Sequence, residues 1–202
     1  MRSAEPRAAT PARGSVRAGR ENAAVTAYTM FDTPLGWCAL AWNDRGLVAV
    51  ELPGGDRAGT EAHLRGRIAD PVPTEPGGPV ADAVRRIARL LGGERDDLRD
   101  IPVDPTGIPE FHRRAYEFIR TVPPGETTTY GEVARAVGAP GSAQAVGQAM
   151  GANPYPVVVP CHRVLGAGGK VGGFSAGAGA ATKLRMLGIE GAAPGGQPSL
   201  FD

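Results

Sequence analysis

Residues 153–165 read Asn153-Pro154-Tyr155-Pro156-Val157-Val158-Val159-Pro160-Cys161-His162-Arg163-Val164-Leu165. The apolar run predicts a buried strand that delivers a cysteine directly before a histidine. A lone cysteine after such a run is more often an inert core residue. Here prolines stiffen the backbone ahead of it, and the Cys-His-Arg triplet puts a base and a cation beside the sulfur. A free thiol, with a pKa of about 8.5, is mostly protonated at neutral pH, so a nucleophilic cysteine needs neighbours of this kind.

Working back from that segment, the pattern is helical. Phe111, Ala115, Phe118 and Ile119 line one face of a helix that stops at Pro123-Pro124, and a turn over residues 125–129 leads into a short helix, 130–137. A further helix, 142–150, follows Pro140-Gly141. Two short helices joined by a tight turn predict a helix-turn-helix. On the last of them Ala143, Gly147 and Gly151 fall four apart, a stripe with almost no side chain. It suits either tight helix–helix packing or a helix laid against a nucleic-acid groove.

The front half has a different period. Residues 25–31, 37–42 and 47–52 are β-rich runs separated by turn signals, a small antiparallel meander. Helices are expected at 60–68 and 80–91, the second ended by Gly92-Gly93. The fold class is therefore α+β. An N-terminal lobe, 25–104, carries a small antiparallel sheet and helices, and a C-terminal helical lobe, 105–191, carries the helix-turn-helix and the cysteine. Residues 1–24 hold five arginines and almost nothing to bury, a disordered basic tail. Its composition imitates a transit peptide, but Ala, Gly and Arg are high throughout the chain, which reads as a general bias. Residues 192–202 form a second, flexible tail.

Composition narrows the function classes. A formal net charge of +1 excludes nucleic-acid binding by bulk electrostatics, so any such contact must be local and shaped. Two cysteines, Cys38 and Cys161, give neither a disulfide framework nor a CxxC pair, and a reduced, cytoplasmic protein with no membrane partner fits. Cys38, on a strand, reads as core. His63 and His112 have no partners at ligand spacing, so no metal is expected. The Arg85-Arg86-Arg89 cluster reads as a solvated helix face.

Pro160-Cys161-His162-Arg163-Val164 closely resembles the active-site motif of the O6-alkylguanine-DNA alkyltransferases. The likeness extends back through Asn153-Pro154, the helix at 143–151 and Gly125-Glu126-Thr127-Thr128-Thr129-Tyr130-Gly131. It extends forward through Gly172-Gly173-Phe174-Ser175 to Lys183 and Glu190-Gly191, covering residues 105–191 strongly. Thr33-Pro34-Leu35-Gly36 opens a hairpin similar to that of the family's N-terminal domain.

This resemblance implies DNA repair by irreversible, stoichiometric transfer of an alkyl group from O6-alkylguanine to Cys161, with O4-alkylthymine as a second candidate substrate and no cofactor. His162 would act through a water as the base, Glu190 would orient and polarise it, and Asn153 would hold the turn that positions the cysteine. In the guanine pocket Tyr130 would hydrogen-bond N3, the amide of Ser175 would face O6, and the carbonyls of Cys161 and Val164 would accept from the exocyclic amine. The nucleotide must be flipped out of double-stranded DNA to reach a buried thiol. The helix bearing Ala143, Gln144, Ala145, Gly147 and Gly151 would enter the minor groove. Two residues depart from the family's usual pattern: Gln144 stands where an arginine is usual, and Phe174 where a tyrosine is common. The loop at 175–182 is also two residues longer. These departures bear on substrate range and base extrusion, not on the reaction.

Two rival readings accompany this one. Alkyltransferase-like proteins bind alkylated DNA and recruit other repair factors, but they lack the reactive cysteine. A generic helix-turn-helix regulator leaves the Pro-Cys-His-Arg motif unexplained. At the C-terminus, Gln197, Leu200 and Phe201 resemble the short motif by which bacterial proteins dock on the sliding clamp.

Overall fold

The computed structural model describes residues 26–192. The expected basic tail and the Gln197, Leu200 and Phe201 docking peptide lie outside the described residues. Among the described residues no helix is long and apolar enough to cross a membrane.

Strands β1 (Ala27–Phe31), β2 (Cys38–Asn43) and β3 (Gly46–Glu51) form the expected antiparallel meander, closed on its far side by the two-residue β4 (Val72–Pro73), which runs parallel to β1. The β1–β2 turn is tied by the Gly36 N–H to the Thr33 carbonyl at 2.8 Å. Gly46, at φ +144°, begins β3 so close to the Pro102 carbonyl that a Cβ would lie 2.7 Å from its oxygen. No other residue fits there.

The central strand β2 is apolar on both faces because both faces are covered. Ala39 and Ala41 pack with Tyr28, Ala49 and Leu64 of helix α1 (Arg57–Arg67). Cys38 and Leu40, on the opposite face, pack with Val50, Leu52 and Ile87 of helix α2 (Gly78–Leu91). That second cluster continues without a break into Ile119, Val146, Val158 and Cys161, so one core runs from the sheet into the helices that carry the site. Each large apolar side chain removed from water there contributes about 1.5–3 kcal/mol.

Arg86 corrects one expectation. Only Arg85 and Arg89 of the basic cluster face solvent. Arg86 is mostly covered and makes paired hydrogen bonds of 2.7–2.8 Å to Asp96 and Asp100. The acidic partners lie 10 and 14 residues downstream, past the Gly92-Gly93 stop, where helical spacing gives no hint of them.

The second half holds α3 (Glu110–Ile119), β5 (Thr128–Thr129), α4 (Tyr130–Ala136), α5 (Ala143–Gly151), a 3₁₀ turn (Cys161–Arg163), β6 (Val164–Leu165), a second 3₁₀ turn (Ala167–Gly169) and α6 (Ala180–Ile189). A capping box starts α4: the Thr129 hydroxyl accepts from the Glu132 N–H, and the Glu132 carboxylate accepts from the Thr129 N–H at 2.7 Å. Helix α5 packs Val146, Ala149 and Met150 inward against α3 and α4. Its small stripe does not pack on a neighbouring helix: Gly147 and Gly151 have open space where a Cβ would be. That overturns the helix-packing alternative.

The strand expected before Cys161 is also absent. Residues 154–160 form a compact buried turn with a single bridge between Pro156 and Val159. Pro154, Pro156 and Pro160 each lack the N–H that a ladder requires, and the backbone turns back through Val157 at φ +78°. A β-branched residue in that region is strained by an order of 1–3 kcal/mol, and the burial of Val157, Val158 and Val159 offsets it.

Candidate active site

Three connections position Cys161. The Val159 N–H donates to the Tyr155 carbonyl at 2.8 Å and closes the turn. The Val50 N–H donates to the Pro154 carbonyl at 2.8 Å, strapping the turn to β3. The Tyr155 hydroxyl donates to the Asp104 carbonyl, at the junction of the two halves.

Asn153 organises the turn from inside. Its Oδ1 accepts from the Tyr155 N–H, while Nδ2 donates both to the Val159 carbonyl at 2.9 Å and to Cys161 Sγ at 3.2 Å. The side chain is buried, so each bond replaces water that cannot enter.

Behind the thiol, Glu190 caps the C-terminal end of α6. Its carboxylate meets His162 Nε2 at 2.9 Å and accepts from Arg163 Nε at 3.0 Å and Nη2 at 2.8 Å; Arg163 Nη1 donates to the Val122 carbonyl at 2.6 Å. Burial pushes the Glu190 carboxyl up, but these partners outweigh it and hold it at about 2. An ionised carboxylate can only accept, so the His162 proton sits on Nε2 and the lone pair on Nδ1. Nδ1 is buried and has no partner among the described residues. Burial pushes the imidazole down, outweighing the pull of Glu190, so the ring is neutral and its free nitrogen is a base.

In front of the thiol lies an open cavity of about 430 Å³, lined by Tyr130, Gly147, Met150, Gly151, Cys161, Gly173, Phe174 and Ser175. Its volume suits one planar heterocycle with a small substituent. Tyr130 is brought there by β5 pairing in parallel with β6, Thr128 against Val164 and Thr129 against Leu165, which sets the first residue of α4 beside the Cys161 turn. Burial pushes its phenol up, keeping it a neutral donor. The Ser175 hydroxyl donates to the Gly151 carbonyl at 2.8 Å and joins the far wall to α5.

Of the residues singled out from sequence, Cys161, Tyr130, Phe174, Ser175, Gly147 and Gly151 thus meet at one cavity, with Asn153, His162 and Glu190 behind it. Val164 is buried and does not line the cavity; its carbonyl accepts from Lys183 Nζ at 2.6 Å, leaving one lone pair for another donor. Ala143, Gln144 and Ala145 stand outside the cavity on the first turn of α5, with Gln144 exposed. Sequence reasoning passed over three residues. Met150, one turn after Gly147, shared a helical face that could have exposed it. Lys183 and Glu190 are seven apart on α6, two turns along one face. Arg163 sat in the motif itself, but its tie to Glu190 spans 27 residues and has no local signal.

A helix-turn-helix that holds a thiol at the foot of an open cleft, with a neutral histidine and an ionised glutamate behind it, defines a nucleophilic nucleic-acid-binding protein. Two family models match the chain: "6-O-methylguanine DNA methyltransferase, ribonuclease-like domain" over residues 26–105, and "6-O-methylguanine DNA methyltransferase, DNA binding domain" over residues 110–192. The chain belongs to the 6-O-methylguanine DNA methyltransferase family. It is 38% identical over 175 residues to a methylated-DNA--protein-cysteine methyltransferase of Mycolicibacterium paratuberculosis, covering 87% of this chain and 98% of that one. A crystal structure of Mycobacterium tuberculosis OGT in complex with DNA superposes with a TM-score of 0.66 at 34% identity, covering 82% of this chain and 92% of that one. A DNA base-flipping protein of Thermus thermophilus is 42% identical over 116 residues, 57% of this chain and 76% of its own length.

Proposed function

We infer that this chain repairs DNA by taking the alkyl group of an O6-alkylguanine onto Cys161. The observation that carries the reading is the position of Cys161 Sγ, at the wall of a base-sized cavity beside the open small face of α5. The protein acts once, because the thioether formed has no route to hydrolysis.

The geometry supports the following roles. His162 Nδ1 takes the thiol proton, directly or through a water, and Glu190 fixes the tautomer that makes this possible. Asn153 Nδ2 holds the sulfur in line by donating to it. The S–C bond forms as the C–O6 bond breaks, and guanine leaves with the electron pair. Tyr130 donates to N3 of the extruded base and the Ser175 amide to O6, spreading the charge that develops. The Val164 carbonyl accepts from the exocyclic amine through its remaining lone pair. Phe174 and Met150 supply the apolar walls.

Double-stranded DNA approaches along Ala143, Gln144, Ala145, Gly147 and Gly151, where missing side chains let the backbone come close to a minor groove. A binding-only protein of the alkyltransferase-like kind has no use for this thiol, so the transfer reading is preferred. The same chemistry extends to O4-alkylthymine, whose alkyl group is also carried on an exocyclic oxygen. Intact mass after exposure to O6-methylguanine DNA tests the reading: one methyl per chain, mapped to Cys161, is expected, and a mass unchanged at full exposure overturns it. The Gln197, Leu200 and Phe201 peptide is proposed as a clamp contact. Loss of clamp binding on truncation after Gly196, with transfer to short oligonucleotides unchanged, supports it; equal affinity of both chains, or none, overturns it.

A further inference from the structure

Lys183 is fully buried in α6. Its Nζ donates to the Val164 carbonyl at 2.6 Å and lies 5.9 Å from the centre of the Tyr130 ring. Among the described residues no carboxylate comes within salt-bridge distance of it. A buried ammonium held only by a neutral carbonyl is expensive unless an anion answers it.

The other charges around the site are already matched. Glu190 accepts from His162 and twice from Arg163, so its negative charge is met by the guanidinium. His162 is neutral, Asn153 is an amide, Tyr130 lines the same cavity as the sulfur, Tyr116 of α3 donates its hydroxyl to the Ala149 carbonyl, and burial opposes the ionisation of both phenols. Among the described residues around the site one cation is left over, Lys183, and one acidic group can balance it, Cys161.

We propose that Lys183 is the counter-charge of the Cys161 thiolate, a positioning residue whose field makes the proton transfer to His162 favourable in a site that burial alone would keep neutral. This rests on Cys161 being the alkyl acceptor. Burial pushes the Cys161 thiol up, while the Asn153 hydrogen bond and the Lys183 charge pull it back; burial pushes Lys183 down, and Cys161 is the one charge that raises it.

The pairing has a consequence for the spent protein. When the sulfur lone pair forms the S–C bond, guanine leaves with the C–O6 electrons and takes up the proton that His162 removed. A thiolate has become a neutral thioether. Lys183 is then a buried cation with no anion near it.

The test uses iodoacetamide as the probe, on the full chain in a Cys38→Ala background so that only Cys161 reports. In Lys183→Gln, which keeps an N–H donor for the Val164 carbonyl but removes the charge, the midpoint of the pH–rate profile is expected to rise by about one unit, a roughly tenfold slower reaction below it. Lys183→Arg should restore the wild-type midpoint. A folded Lys183→Gln protein with an unmoved midpoint overturns the proposal and leaves Lys183 a mere tether. Should that variant fail to fold, reciprocity supplies a second measurement. The NMR titration of Lys183 in the unsubstituted chain should fall by a like amount once iodoacetamide has capped Cys161, and no displacement overturns the pairing. Neither measurement uses DNA, so failure of alkyl transfer and failure of the charge pair are read separately.

Discussion

Both cysteines of this chain are buried, and only one of them is equipped to react. Cys38 sits on β2 with the Thr33 hydroxyl 3.6 Å away, and burial pushes its thiol up to about 12, Glu51 and Asp32 adding to the rise. Cys161 is also buried, though it borders the open cavity, and an amide donates to it, a lysine charge acts on it, and a base with a free nitrogen follows it in sequence. Burial on its own makes a thiol inert. What separates the two is a supply of donors and positive charge in the same low-dielectric surroundings, where such groups act most strongly.

The largest effect should come from exchanging the roles. Cys161→Ala is expected to abolish transfer while duplex binding by gel shift persists, whereas Cys38→Ala should transfer within about twofold of wild type and lose on the order of 1 kcal/mol of stability to the small cavity. Loss of binding in Cys161→Ala with the fold intact would break the distinction between chemistry and contact.

Next in size is Glu190→Gln. The amide cannot hold both the His162 Nε2–H and the Arg163 guanidinium, so single-turnover transfer should slow by about 10²–10⁴, and the stranded Arg163 should cost about 3–5 kcal/mol. The pH dependence follows from a carboxyl held at about 2 in the folded chain against about 4.3 when unfolded. Its contribution is complete above the unfolded value and disappears as pH falls through the folded one. Thermal melts of wild type and Glu190→Gln should therefore converge between about pH 4 and 2, and a constant gap would mean that the carboxylate is not the stabilising form.

The smallest effect belongs to delivery rather than reactivity. Gln144→Arg, with a longer cationic side chain on the exposed first turn of α5, should tighten binding to alkylated duplex several-fold and speed base extrusion. Iodoacetamide rates at Cys161 should not change. Slower or equal single-turnover rates on duplex DNA would show that Gln144 does not limit extrusion.

Much of this was legible in the sequence where the signal is local. The meander, the Gly92-Gly93 stop, the two short helices and the small stripe all depend on residues within a turn of one another. The failures share one physical cause. Residues 154–160 have the hydrophobicity of a strand, but three prolines remove the donors a ladder needs, and the chain satisfies its remaining groups through Asn153 and Val50 instead. Arg86 looked solvated because its aspartates arrive from beyond the helix. Arg163 and Lys183 looked like ordinary basic residues of a motif and a helix; their burial, and the different anions available to each, exist only once α6 has folded across the Cys161 turn.

The empty flank of α5 means that the protein's own stability places no demand on Gly147 or Gly151. Nothing among the described residues would collide with an added methyl there, and alanine at Gly147, a mid-helix position, is worth up to about 1 kcal/mol in helix propensity. A search for hardier variants would therefore select against glycine at the surface proposed to meet DNA, and could enrich chains that melt later and repair less.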